Sequence, residues 1–460
     1  MARTSKTTRN EIRFFVPTMK RRQLLVPKCR TSLVLVVLVV AGLSGAFSPP
    51  TSAQQARPNI SGSHKADLSR MIVVGDSLSA GFQNDSLLDT QQPHGWASVL
   101  AAQANVPLVL PLIAPPGIPN VLELVTGGPL PIIEPAPGPA SLGRDDPYVQ
   151  ATDLAVPGAK LQDALTTLPS LPVDDLTDLV VGLPGLYQGV SRSQVEWAEA
   201  LEPTTVFVWI GNNDILGAAT EANPSAATSL SSFSSNYAKM LNQLAATGAT
   251  LVVANIPDVT VVPYFTPASA IEQEIGLPPF LTWLILGIGP DDYVLPAGVA
   301  LIPSILANPS LGPLPSRDVL QAAQVVQVRA LIAAYNLIIA VGAIEHGAVL
   351  VDVHSLANQI RSQGVEANGL RLTNQYLGGL FSLDGIHPTN TGYAVIANQF
   401  IMALNQARGT SIPLVDINQV ASGDPLVFGG GVSPDSLGRH VSPATAEALR
   451  PLLLHRQPHK

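Results

Sequence analysis

Cysteine is nearly missing from this chain: Cys29 is the one thiol in 460 residues, and it lies in a segment read below as cleaved. A mature protein without it has no disulfide, no thiol nucleophile and no thiolate metal site. Charge is sparse as well, 13% of residues being charged against 46% hydrophobic. That balance excludes a disordered polyelectrolyte and lets the chain bury at least one large core. Three catalytic signatures are absent. No G-x-S-x-G occurs, which speaks against the nucleophile elbow of an ordinary α/β-hydrolase. Neither H-E-x-x-H nor G-x-x-x-x-G-K-[ST] is present, so nothing supports a zincin or a P-loop enzyme.

Long apolar runs are also scarce near the N-terminus, where one extends from Leu33 to about Phe47 and is broken by Gly42, Ser44 and Gly45. A membrane anchor needs ~20 spanning residues, so this run is short for one. Arg3 to Arg30 supplies nine Lys/Arg against a single acid, Glu11, and small residues follow the apolar stretch. Basic, apolar, then small is the order of an export signal. Cleavage after Thr51-Ser52-Ala53 is expected, removing residues 1–53, with Ser44-Gly45-Ala46 as the second option. Met19 is an alternative start, and Arg21-Arg22 fits twin-arginine export. The expected location is periplasmic or extracellular, with 54–69 as a linker. Of 25 basic and 33 acidic residues, 16 and 32 remain after removal, a net of −16 with His neutral. Such a surface argues against a nucleic-acid partner.

Five short β-rich runs follow: "MIVVG" (71–75), "ATDLAV" (151–156), "TVFVWIG" (205–211), "TLVVANIP" (250–257) and "AVLVDVH" (348–354). They are apolar on both faces, as strands covered by helices on both sides should be. Amphipathic stretches alternate with them, which predicts an α/β fold with a mainly parallel five-stranded sheet over residues 70–411. A last helix is expected from Pro388 to Ala407. Residues 107–147 and 261–317 break the alternation and read as apolar insertions near the site. The stretch 412–460 reads as a C-terminal extension with no chemistry assigned.

In a parallel sheet the loops at the carboxyl ends of strands converge on one edge, where ligands bind. Ser77 follows the first strand in "VVGDSLSAG". Alone, that motif is weak, because Asp76 or Ser77 could merely cap a helix. Other strand ends add complementary groups: Gly158 in "AVPGAK", Asn213 in "WIGNNDIL", and Asp384 with His387 in "FSLDGIHPTNTGY". A serine hydroxyl needs an imidazole to accept its proton, and the imidazole needs a carboxylate to fix its tautomer. A tetrahedral intermediate needs donors aimed at its oxyanion, which a glycine amide and an Asn side chain can supply.

"GDSL" at 75–78, the glycine of "AVPGA", "GNND" at 211–214 and "DGIH" at 384–387 occur in the order found in the SGNH hydrolases, also called the GDSL lipase/esterase family, which this chain resembles over roughly 70–407. The resemblance implies a three-layer α/β/α, flavodoxin-like fold. It further implies Ser77 as nucleophile, His387 as general base and then acid, and Asp384 as the orienting carboxylate. The Ser77 amide, the Gly158 amide and the Asn213 side chain would form the oxyanion hole.

The resulting expectation is an exported serine esterase or lipase that works through an acyl-enzyme, with no metal and no organic cofactor. Its partner is a small-molecule or lipid ester, and the apolar insertions allow transient contact with lipid surfaces. A carbohydrate O-acetyl esterase and a non-catalytic lipid- or surface-binding protein are the alternatives. His354, beside Asp352, is the rival histidine, and His94 reads as a solvated loop residue. Asn212 and Asp214 are expected to hold the loop around Asn213, with Phe207 and Trp209 in the core. Phe280, Trp283, Leu284, Ile285, Leu286 and Ile288 are expected to wall the site for acyl chains.

Overall fold

Four of the five apolar runs become parallel strands: β1 (Met71–Gly75), β2 (Thr205–Trp209), β3 (Thr250–Ala254) and β4 (Val349–Val351), adjacent in that order. The computed structural model describes residues 65–126, 132–141 and 143–427. The expected export signal, most of the linker and the chain beyond 427 lie outside them. Every residue of β1 and β2 is buried, because helices cover both sheet faces and leave no polar side for alternation.

The fifth run is a strand in course but not in full ladder. Val73 N–H donates to Thr152 O at 3.0 Å, Leu154 N–H to Val73 O at 2.9 Å and Val156 N–H to Gly75 O at 3.1 Å, yet only the Val73–Asp153 bridge forms. The reason is local. The Gly75 amide that would continue the ladder donates instead to the Gln194 side-chain carbonyl at 3.0 Å. The expected five-stranded sheet is therefore four strands plus this bridged edge. The edge run lies on one side of β1 and β2 on the other, so the chain order reverses at β1 and opens a crevice at its carboxyl end.

Against one face pack the helices Trp96–Ala104 and Asn390–Arg408. Trp96 stacks on Phe400 with centroids 3.8 Å apart, and both lie within 6.2 Å of Phe207 and Trp209. On the other face lie Gln194–Ala200, Leu230–Ala246 and Ala322–Glu345. The last is long and apolar enough to cross a membrane by length and composition. Its buried residues Val325, Val328, Ile332, Tyr335 and Ile339 recur every three or four positions, the stripe of a helix lying on a sheet.

The insertions have cores of their own. Leu122–Thr126 and Ile132–Pro135 form a hairpin, and Leu122 and Ile133 pack with Leu377, Leu383 and Leu426. Within 261–317, helices Ala268–Ile275, Pro279–Leu286 and Pro296–Ala307 enclose a satellite core containing Ile271, Leu286, Ile288, Ile302 and Ile305. Its base is closed by a small antiparallel sheet of Thr266–Pro267, Tyr293–Val294 and Val319–Leu320. The body also runs past residue 411. Helix Ile417–Gly423 packs on Asn390–Arg408, and the Asp424 carboxylate accepts both the amide and the hydroxyl of Thr391 at 2.8 Å.

Asp153, at the bridge, is a buried acid whose carboxyl is pushed up to about 8 by burial, with only the Ala155 amide opposing. Its folded value lies above the unfolded one, near 3.9. The stability it contributes is therefore full below about pH 4 and is lost as pH rises through about 8. Asp153→Asn should remove that slope. Urea midpoints of wild type and variant, compared at pH 5 and pH 9, should shift in favour of the variant at the higher pH. Parallel profiles would show that Asp153 titrates as in the unfolded chain.

Candidate active site

At the end of β1 the backbone turns into the one-turn helix Ser77–Ala80, with Asp76 as N-cap through a 3.1 Å bond from Leu78 N–H. Asp76 thus takes the capping role and leaves Ser77 free to face another group. The Ser77 hydroxyl lies 2.9 Å from His387 Nε2, and His387 Nδ1 lies 3.1 Å from Asp384 Oδ2. Ser77, 310 positions from His387, is thus in one line with the imidazole and with Asp384 three residues before it. Asp384 can only accept when ionised, so the proton of the neutral ring sits on Nδ1, and Nε2 offers its lone pair to the serine.

Asp384 is buried, its side chain only 1% exposed, and burial alone would push its carboxyl up. The facing imidazolium charge, the bonds from His387 and the Asp85 amide outweigh burial and hold it well below the usual carboxylate range. Oδ1 accepts the Ile386 and His387 amides at 2.7 and 2.8 Å, and Oδ2 the Asp85 amide at 2.8 Å and the Ser382 hydroxyl at 3.1 Å. Phe82 packs on the imidazole at 4.7 Å, and its carbonyl is held by the Tyr393 hydroxyl at 2.6 Å.

Phe82, Asn84, Asp85 and Ser382 were not foreseen as parts of this assembly. Asn84 takes the Leu383 amide on its Oδ1 at 3.0 Å and gives its own amide to Ser382 Oγ at 2.9 Å. Asn84 and Asp85 both have positive φ, 52° and 57°, and the "QNDS" stretch is the available signal, since Asn and Asp tolerate that region.

The loop after β2 braces the other strand ends. Asn212 donates to Asp76 Oδ2 at 2.8 Å, Asn213 to Ala159 O at 3.0 Å, and Asp214 accepts the Leu161 amide at 2.8 Å. Asn212 and Asp214 were both expected to hold the loop through backbone bonds; Asp214 does so, while Asn212 does it through the Asp76 side chain instead. Burial lifts Asp76 to about 6 against its bonds from Asn212 and Leu78. An Asn amide has two donors, so Asn213 keeps one beyond Ala159. The amides of Ser77 and Gly158 have no acceptor among the described residues. Gly158 has φ +82° and open space where a Cβ would stand.

A groove enclosing about 850 Å³, its open mouth included, has Ser77, Asn213 and His387 on its wall. The rest is mostly apolar: Val259, Val261 and Val262 follow β3, while Val353, Leu356, Ala357 and Ile360 come from helix Val353–Gln363. Trp209, buried in the core as expected, also reaches it. The wall expected from the second insertion is not built as foreseen. Leu286 and Ile288 are buried in the satellite core, Trp283 and Ile285 pack against it, and Phe280 and Leu284 are 67% and 68% exposed. Only Val261 and Val262 of that stretch line the groove.

The rival histidine is engaged elsewhere: His354 Nδ1 lies 3.1 Å from Ile256 O, and Asp352 caps the helix that His354 enters. His94 is exposed. Among the described residues, Asp174, Asp175 and Asp178 are the one group of side chains close enough to share a cation, and none of them lines the groove.

No curated protein matches the chain. Among solved structures it is similar to LAE5, an alpha/beta hydrolase enzyme from the metagenome of Lake Arreo, Spain, at 14% identity and TM-score 0.34, covering 76% of this chain and 100% of that one. Similarity to TesA is 14% with TM-score 0.32, over 73% and 98%. For Axe2, an acetylxylan esterase from Geobacillus stearothermophilus, the values are 10% and 0.33, over 74% and 96%. The family profile described as GDSL-like Lipase/Acylhydrolase matches residues 71–400. That span takes in Ser77, Gly158, Asn213, Asp384 and His387 and most of the sequence, and the chain belongs to the GDSL-like lipase/acylhydrolase family.

Proposed function

We propose that the protein is an exported serine esterase that cleaves carboxylic esters of apolar acyl chains through an acyl-enzyme on Ser77. The observation that carries this reading is the 2.9 Å contact between Ser77 Oγ and a His387 ring whose other nitrogen is held by a buried carboxylate. His387 Nε2 takes the hydroxyl proton as Oγ bonds to the carbonyl carbon. The resulting imidazolium is stabilised by Asp384. Charge on the carbonyl oxygen is met by the Ser77 and Gly158 amides and the remaining Asn213 N–H. The tetrahedral centre collapses, the C–O bond to the alcohol breaks, and His387 returns the proton to the leaving oxygen. Water repeats the sequence on the acyl-enzyme and frees the acid and Ser77.

The groove favours one acyl class over another. Valine, leucine and isoleucine walls contribute about 0.8 kcal/mol per buried methylene, which favours an acyl chain over the acetyl group of a polysaccharide. Export rests on the basic, apolar and small-residue order of 1–53. A purely binding protein would have no use for a hydroxyl, imidazole and carboxylate in line.

Ser77→Ala should lower kcat by about 10⁶-fold with melting temperature little changed, and His387→Ala by a similar factor. Asp384→Asn should lower kcat by about 10⁴-fold and also lower the melting temperature, because an amide cannot accept all five bonds the carboxylate takes. His354→Ala should leave turnover intact. Hydrolysis of p-nitrophenyl butyrate measures all four, and near-normal turnover by Ser77→Ala would sink the assignment. Asn213→Ala should reduce kcat by roughly 10²- to 10³-fold with little change in KM, because its donor meets charge that develops only in the transition state. A change confined to KM would make Asn213 a substrate-binding residue instead.

A further inference from the structure

Asp258 stands on the groove wall just beyond β3, and it ties together more of the molecule than its position requires. Its side chain is 5% exposed. Oδ1 accepts the amide and hydroxyl of Thr260 at 3.0 and 2.7 Å, fixing the short turn Val259–Val261. Oδ2 takes Arg329 Nε at 2.9 Å and Arg361 Nη1 at 3.1 Å. Burial would push the Asp258 carboxyl up, but the Thr260 bonds and the two guanidinium charges hold it below its ordinary range.

The two arginines come from different places. Arg329 lies on Ala322–Glu345 and also donates to Thr260 Oγ1 at 2.9 Å and to Tyr293 Oη at 3.2 Å. Tyr293 belongs to the small sheet at the base of the second insertion. Arg361 lies on Val353–Gln363, one residue past Ile360, and is braced on that helix by a 2.8 Å bond from Nη2 to Asn358. One cation neutralises one buried carboxylate, so charge balance does not require the second. What Arg361 adds is a tether: the wall carrying Val259 and Val261 is joined to the wall carrying Leu356 and Ile360.

We propose that the Asp258 cluster sets the separation of these two groove walls, and that Arg361 is a positioning residue for acyl-chain selection that touches no substrate. The proposal rests on the esterase reading above. An acetyl group, seated at Ser77, makes little use of the walls, whereas a longer chain lies between them. Loosening the tether therefore acts on long chains selectively. Because Arg329 stays paired with Asp258, removing Arg361 leaves no unpaired buried charge.

The experiment compares wild type, Arg361→Met and Arg361→Lys on p-nitrophenyl acetate and octanoate. Arg361→Met should raise KM for octanoate about fivefold, the size expected of a half-exposed ion pair, with acetate KM and melting temperature close to wild type. Arg361→Lys should restore the octanoate value. An unchanged octanoate-to-acetate ratio, or a parallel loss on both esters, would overturn the proposal. If Arg361→Met does not fold, Asn358→Ala, which removes only the brace on Nη2, should shift the same ratio, and no shift would again overturn it. Calorimetric binding of decanoate to Ser77→Ala, with and without Arg361→Met, separates the two readings. If wild type cleaves neither ester, the esterase reading fails, while weaker decanoate binding on loss of Arg361 still supports the tether and equal binding refutes it.

Discussion

A negative charge kept inside protein is the constraint around which this structure is arranged. Asp384 is out of reach of water, and an isolated buried carboxylate would neutralise itself by taking up a proton. Five donors prevent that: three amides, one hydroxyl and the His387 ring. Two of the amides come from its own turn, which is why Asp384 and His387 lie three residues apart. Another comes from Asp85, just past the Ser77–Ala80 helix. Meeting the demands of this carboxylate therefore brings the loop after β1 against the loop before the last helix, and the serine reaches the imidazole as a result.

The loop after β2 performs the corresponding task for the other side of the site. Consecutive side chains at 212, 213 and 214 reach Asp76, Ala159 and the Leu161 amide, so the ends of β1 and the edge run are both fixed by one turn. The break in the edge ladder belongs to the same arrangement. With the Gly75 amide drawn to Gln194, the edge run leaves the sheet after Val156, and the turn holding Gly158 begins there. A fully laddered fifth strand would carry the chain onward in sheet geometry past this point.

The parallel sheet and its covering helices were legible in the sequence for physical reasons, whereas the five candidate site residues were drawn from strand-end placement together with a family resemblance. Doubly buried strands are apolar on both faces, and a reacting serine must stand at a strand end beside its partners. What stayed hidden depends on contacts between distant residues. Nothing in "ATDLAV" announces that Gln194 interrupts its pairing. One groove wall comes from Val353–Gln363, whose sequence reads as an ordinary amphipathic surface helix. Phe280 and Leu284 were drawn to the site by hydrophobicity and by the insertion's departure from the carboxyl end of a strand, but an apolar octapeptide holds no record of which neighbours it meets. Asp424 was passed over because a single capping acid beyond the last obvious helix has no periodicity to mark it.

The small sheet at the base of the second insertion has a consequence for how this fold can vary. Its outer strands, Thr266–Pro267 and Val319–Leu320, flank Tyr293–Val294, so the chain leaves and returns through points two strand spacings apart, about 10 Å. To the rest of the molecule, the fifty residues or so between them amount to one wide loop. Since closure entropy grows only logarithmically with loop length, the helices of this module could vary in length with little cost to β3, provided the Tyr293 contact with Arg329 is kept. The half of the protein that carries Ser77 and His387 thus meets its outlying apolar subdomain through a narrow base, and what is added beyond that base need not disturb it.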